Sequence, residues 1–405
     1  MNFSAGNRQS ATAAVTITFA ALLLLLAALM PGTSSARPDS KAVISPIAFD
    51  IINRPTPVEA ADGRMHLAYE IQAVNQSTLS VTVNRIQARA QKSTIGKALS
   101  GEDLINRTRL NDGTTGSATL GAGESAMLFL DVSYSKKRRN PKTIAHAITT
   151  SWPDPVTIGE TVKQTFVGVG SMVSKRKAIE VAAPLRGNNW VAASSCCTLN
   201  PHRGATLAID GTIRVPERYA IDFIRMNPED RLFDGLIGDL GSYAYFGTRI
   251  HSATAGKVVR VQDGLPEQVP GALPVGATIQ NAAGNHVVVR IGKGRYALYA
   301  HMKTGSTRVN VGDKVKPGKV LGLLGNSGNA SAPHLHFHVM DSASPLKSNA
   351  LPFTFKAFEG QGFVTDLDAL VAGGDPLIQP NRLAGRHRGQ LTLDNQVVSF
   401  GGSGR

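Results

Sequence analysis

Residues 284–303, GNHVVVRIGKGRYALYAHMK, and 309–341, VNVGDKVKPGKVLGLLGNSGNASAPHLHFHVMD, decide the fold class of this chain. Near the end of the second segment, His334-Leu335-His336-Phe337-His338 alternates polar and apolar residues, the period of a β-strand. Side chains two apart on a strand share a face, so Leu335, Phe337 and Val339 turn inward and the three histidines stand together on the other side. Three imidazoles on one strand face mark either a metal site or a coincidence. Imidazole suits zinc, and nitrogens one pleat apart let one ring bind an ion while the next reaches a group bound to it.

Outward from this strand, short apolar runs separated by Gly-Asp, Asp-Gly and other glycine turns predict strands over 250–261, 286–291, 295–300 and 320–324. Residues 203–209 and 212–224 read as a hairpin about Asp210-Gly211. Upstream, 65–74, 79–83 and 126–134 alternate with the same period. Their even spacing predicts an immunoglobulin-like β-sandwich over 42–170, in which His66 and His146 have no evident partners and are structural or solvent-exposed. Residues 171–183 form a linker, and 352–405 form a C-terminal extension with a short turn at 366–370 and a hairpin pairing 391–393 with 397–400. The chain is therefore all-β: a sandwich followed by a mostly antiparallel sheet domain over 184–351.

At 405 residues the chain has room for two or three domains. Residues 1–36 have the pattern of a signal peptide: Arg8 is their only charge, 19–30 is apolar, Pro31-Gly32 breaks the run, and Ser34-Ser35-Ala36 offers a cleavage site. An uncleaved anchor over 11–30 is the alternative, and the membrane enters in no other way. Export places the protein in the periplasm or outside the cell. The net charge of +14 falls to +13 without Arg8. Envelope polymers or anionic lipid head groups are then the accessible polyanions; no basic stretch interleaved with aromatics points to nucleic acid. Cys196 and Cys197 are adjacent. Neighbouring Cα atoms about 3.8 Å apart lie closer than a usual disulfide span, which argues against a bridge between them.

Several further motifs stand in one order: Tyr219-Ala220-Ile221-Asp222, Gly247-Thr248, Gly256-Lys257-Val258, Gly284-Asn285-His286-Val287, Tyr299-Ala300-His301, Val311-Gly312-Asp313-Lys314-Val315, Gly325-Asn326-Ser327-Gly328 and Pro333-His334-Leu335-His336-Phe337. Together they resemble the lysostaphin/LytM-type zinc metallopeptidases over 184–351. The resemblance implies a grooved β domain, one zinc ion and hydrolysis of peptide bonds in peptidoglycan stems or cross-bridges. By position, Asp222 and His336 resemble metal ligands, and His334 and His301 resemble the catalytic pair that orients water and moves its proton. Two neutral imidazoles and one carboxylate would leave zinc a net charge near +1 and an open position, which lowers the pKa of bound water toward ~7.

One position departs from the family. The usual first ligand, a histidine four residues before the aspartate, is here Arg218. The nearest upstream histidine is His202, which is assigned as the missing metal ligand. In a strict hairpin it would face Tyr219 and stand on the wrong side for Asp222, so a bulge near Pro216 is required. Asp210 is explained by its turn. The alternative function is a non-catalytic peptidoglycan-binding regulator of another wall hydrolase, since such relatives lose ligands. A third reading is an adhesive or structural envelope protein dominated by the sandwich.

Overall fold

The computed structural model describes residues 43–401. The segment assigned to export lies outside the described residues, and among these no helix is long and apolar enough to cross a membrane. The described chain is built almost wholly of strands, nearly all antiparallel.

The first half forms two sheets. One runs Ile47–Ile51, Arg64–Asn75, Ser125–Ser135, Thr108–Leu110; the other runs Thr161–Met172, Thr143–Pro153, Val81–Ala90. Leu67, Tyr69 and Ile71 of the first sheet share a core with Val83, Ile86 and Ile148 of the second. In Arg64–Asn75 the other face is buried as well. Ala68 belongs to the core of the second half of the chain, with Val58 and Ala61, and Glu70 beside it is fully buried. A strand covered on both faces is an inner layer, not an outer wall of the molecule.

The second half is organised by an eleven-stranded sheet. Its strands run Lys314–Val315, Gly256–Gln262, Asn285–Gly292, Arg295–Met302, Leu335–Met340, Ile221–Arg225, Gly187–Ala193, Gln396–Phe400, Phe358–Val364 and Ile378–His387, with Ala350–Leu351 added beside Leu335–Met340. The strand of Asp222 thus lies directly against the strand of His336, and Cα register pairs those two residues. On the other side His336 registers with Ala300, next to His301.

Three local expectations are corrected. The hairpin is confined to Leu207–Ile209 and Thr212–Arg214, turning on Asp210 and Gly211, both with positive φ, the geometry of a type I′ turn. It stops because Val215 donates its N–H to the Asn349 side chain and Pro216 has none to give. His202 lies outside it on a one-turn helix, Pro201–Gly204, started by Pro201 and capped by Asn200, whose side chain accepts the Arg203 N–H. The second correction concerns the chain past Leu351. The expected hairpin between 391–393 and 397–400 does not form, because Gln396–Phe400 has both edges taken, by Gly187–Ala193 and Phe358–Val364. Leu391 and Leu393 make parallel bridges to Ala60 and Cys196 instead. Third, Cys196 and Cys197 have their sulfurs bonded to each other.

The sandwich histidines do have partners. His146 sits between the Tyr69 hydroxyl, at 2.6 Å, and the Val169 carbonyl, at 2.7 Å. His66 places Nδ1 3.0 Å from Asp131 and Nε2 3.2 Å from Asp62. Carboxylates only accept, so both ring nitrogens donate and the ring is an imidazolium. Burial pulls His66 down, but the bonds to Asp131 and Asp62 prevail and raise it from 6.5 to about 9. A raised folded-state value stabilises below the unfolded pKa, and that stability is lost as pH climbs through about 9. The gap corresponds to about 3 kcal/mol. The stability difference between wild type and His66→Gln in denaturant titrations should therefore shrink by that amount from pH 6 to pH 10. A difference independent of pH contradicts the ion-pair assignment.

Candidate metal centre

Asp222 is the point on which the site converges. Its Oδ2 lies 3.1 Å from His202 Nε2, and its Oδ1 lies 2.9 Å from His336 Nδ1. The three donor atoms lie within 4.8 Å of one another. Donors around a tetrahedral zinc with bonds near 2.0–2.1 Å are separated by roughly 3.3 Å, so this set has about the size such an ion needs. The second grouping, His301, His334 and His336, falls within the same limit. His334 Nε2 is 3.5 Å from Asp222 Oδ1. All five residues assigned from the sequence are brought together, and they line a groove of about 430 Å³.

The ring nitrogens that face away from the centre are each held by a partner. His202 directs Nδ1 at the carbonyls of Ser194, at 3.0 Å, and Ala220, at 3.2 Å. A carbonyl only accepts, so Nδ1 carries a proton, and Nε2 is the atom turned to the centre, where it donates to the Asp222 carboxylate until a metal takes the proton's place. His301 and His334 are fixed the same way, through Nδ1 to the carbonyls of Ser327 and Ala332, each at 2.7 Å. His301 has φ 58, a left-handed conformation that costs a β-carbon residue of order 1 kcal/mol. Tight packing holds it there. Gly284 and Gly328 approach so closely that a Cβ on Gly284 would lie 2.2 Å from the Ser327 carbonyl, the same oxygen that accepts from His301.

Electrostatics separate the members. Burial would raise the Asp222 carboxyl, but His202 and His334 hold it well below the ordinary carboxylate value. Burial pulls His202 down, yet the Asp222 charge and hydrogen bond raise it to about 9. His301 goes well below 6.5 through burial and the neighbouring His334 and His336, and burial likewise lowers His334. The pair assigned to proton transfer is therefore neutral around pH 7, with lone pairs on Nε2.

His338 stands on the same strand face as His336 and takes part in the cluster: it is 1% exposed, and its Nδ1 lies 2.9 Å from His336 Nε2. That contact turns His336 Nδ1 toward Asp222. The third histidine of the alternating run is the signal for it, because a residue two along the strand necessarily flanks His336. Glu217 also lines the groove, with Oε1 4.0 Å from His336 Nε2, and no sequence pattern marks it. Asp210 stands apart, paired with Lys347 on the surface.

Residues 242–348 match the family model described as Peptidase family M23. These residues are an M23 peptidase domain. The match includes His301, His334 and His336 and begins after His202 and Asp222. Over 118 residues the chain is 30% identical to the DD-carboxypeptidase/endopeptidase Mpg of Neisseria meningitidis serogroup B, covering 26% of each protein. Over 66 residues it is 35% identical to the peptidoglycan DD-endopeptidase ShyA of Vibrio cholerae, covering 16% of this chain and 15% of that one. The chain thus spans about a quarter or less of the length of the curated relatives it matches. Among solved structures it is similar to the catalytic domain of the prophage-encoded M23 protein EnpA of Enterococcus faecalis, at 22% identity and TM-score 0.26, covering 42% of this chain and 93% of that one. The catalytic domain of lysostaphin from Staphylococcus simulans is similar at 23% identity and TM-score 0.23, covering 41% and 88%.

Removing the partner of a ligand imidazole weakens metal binding about 10–100-fold in comparable sites. His338→Ala should lose zinc affinity by that factor in chelator competition while remaining folded. Unchanged affinity removes His338 from the support of His336.

Proposed function

We propose that this chain is an exported zinc metalloendopeptidase that hydrolyses peptide bonds in peptidoglycan stems or cross-bridges. His202, Asp222 and His336 hold the metal, and His301 and His334 are the catalytic pair. The convergence of His202 and His336, from separate stretches of chain, on the Asp222 carboxylate, with two neutral imidazoles beside it, carries the reading. The M23 match and the peptidoglycan DD-endopeptidase relative support the substrate class.

A zinc ion held there supplies a Lewis acid and activates water near neutral pH. The protein does the rest. His334 and His301 present unprotonated Nε2 atoms to the groove, able to take a proton from an attacking water and return it to the leaving amine. Their Nδ1–H bonds to Ala332 and Ser327 prevent the rings from turning as the proton moves. Once protonated, either ring faces the developing oxyanion as a cationic donor.

Digestion of purified peptidoglycan, with mass analysis of the fragments and zinc measured on the same preparations, tests the reading. Wild type should release fragments cut at peptide bonds. His336→Ala and His202→Ala should lose both zinc and cleavage. His334→Ala and His301→Ala should keep zinc and lose about 10²–10⁴-fold in turnover. Zinc loss in the latter pair reverses the roles, and full zinc in His202→Ala removes that ligand. A folded, zinc-free wild type that still binds the wall favours the regulator.

A further inference from the structure

His202 is presented by a helix of one turn, too short to hold its own shape. The next residue, Arg203, is fully buried and reaches into the sandwich. Its guanidinium lies 2.8 Å from Glu70 Oε1 and donates to the Tyr69 carbonyl at 3.1 Å and the Leu130 carbonyl at 3.2 Å. It also donates to the Cys197 carbonyl and stands 5.7 Å above the Phe129 ring. The same Glu70 carboxylate accepts from Arg218 Nε, with Oε2 at 2.9 Å, and from Arg218 Nη2. Arg218 is the residue four before Asp222, and Glu70 and Arg218 are 0% and 5% exposed. One buried carboxylate of the sandwich thus grips both stretches of chain that deliver His202 and Asp222. A second clamp lies alongside: Arg109 of the sandwich donates to the Gly204 carbonyl and the Thr206 hydroxyl.

Two guanidiniums on one carboxylate, away from water, are a costly way to join two surfaces, and apolar side chains of similar volume often do as well. What the ion set adds is direction, because planar guanidinium forks accept only certain placements of their partners. We infer that Glu70 is a positioning residue of the metal centre, fixing His202 through Arg203 and the Asp222 strand through Arg218, so that the sandwich is a working part of the site. The inference rests on His202 and Asp222 being metal ligands.

Burial alone would raise the Glu70 carboxyl, but Arg218 and Arg203 hold it below the ordinary glutamate value, so it stays charged. The test uses the full mature chain, with zinc affinity by chelator competition, the visible spectrum of the cobalt-substituted protein, and thermal unfolding. Glu70→Gln keeps the shape and removes the charge. It should bind zinc at least about 10-fold more weakly and give a weaker cobalt spectrum as a ligand drifts away. A folded Glu70→Gln with a lowered Tm but zinc affinity within about two-fold of wild type overturns the inference, since a purely structural role moves only the Tm. Should Glu70→Gln fail to fold, Arg203→Lys decides, because it keeps a positive charge beside Glu70 but removes the planar fork that fixes the direction: about three-fold or greater loss of zinc affinity in the folded variant supports the inference and unchanged affinity overturns it. A folded wild type that binds no zinc overturns the metal reading and this inference with it. A wild type that binds zinc beside a Glu70→Gln variant of the same zinc affinity overturns this inference alone.

Discussion

Asp222 carries the negative charge around which the imidazoles gather. His202 and His336 meet its two oxygens at 3.1 and 2.9 Å, and His334 stands 3.5 Å from one of them. Several imidazoles crowded together in low dielectric would otherwise repel whenever more than one is protonated. A single carboxylate in their midst makes the cluster tolerable, and a divalent cation bound beside it would replace the ring protons and take the lone pairs of the neutral rings. Sheet register makes the arrangement possible, since antiparallel pairing puts Asp222 directly opposite His336 and His336 opposite Ala300, beside His301.

That register leaves one donor unsupplied. The family's usual first histidine would come from the strand of Asp222, and here the position holds Arg218. His202 reaches the carboxylate from a different direction, out of a loop between Gly187–Ala193 and the Leu207–Ile209 hairpin. Loops fix side chains poorly unless something grips them, and this one is gripped on two sides. The sandwich holds it through Glu70, Tyr69, Leu130 and Arg109, while the C-terminal part holds Ser195 through Thr392 and Asp394. Bringing His202 to Asp222 from outside the sheet and burying a face of the sandwich are two aspects of one solution.

How much of this is legible in sequence depends on the range of the interaction. The all-β class, the strand of His334–His338 and the grouping of His301, His334 and Asp222 with His336 follow from period-2 patterning and ordered motifs. Asn200-Pro201 is a helix-start signal, which explains why His202 sits on a helical turn and not on the extended hairpin that Asp210-Gly211 suggests. Glu70 could not be found this way: it is separated from Arg203 by 133 residues, and a glutamate among alternating strand residues has the pattern of a solvent-facing side chain. Only the covering of both faces of Arg64–Asn75 reveals that it is buried. The burial of His338 is hidden for a similar reason, since alternation gives the side of the strand but not what covers it.

The zinc K-edge absorption spectrum of the metal-loaded protein tests the central claim most directly, because it reads the ligands without reference to turnover. Two imidazole nitrogens and oxygen donors near 2.0–2.2 Å are expected, with no sulfur. A single imidazole would contradict the pairing of His202 with His336 at the metal, and a sulfur shell near 2.3 Å would place the metal at Cys196 and Cys197 and contradict the account outright.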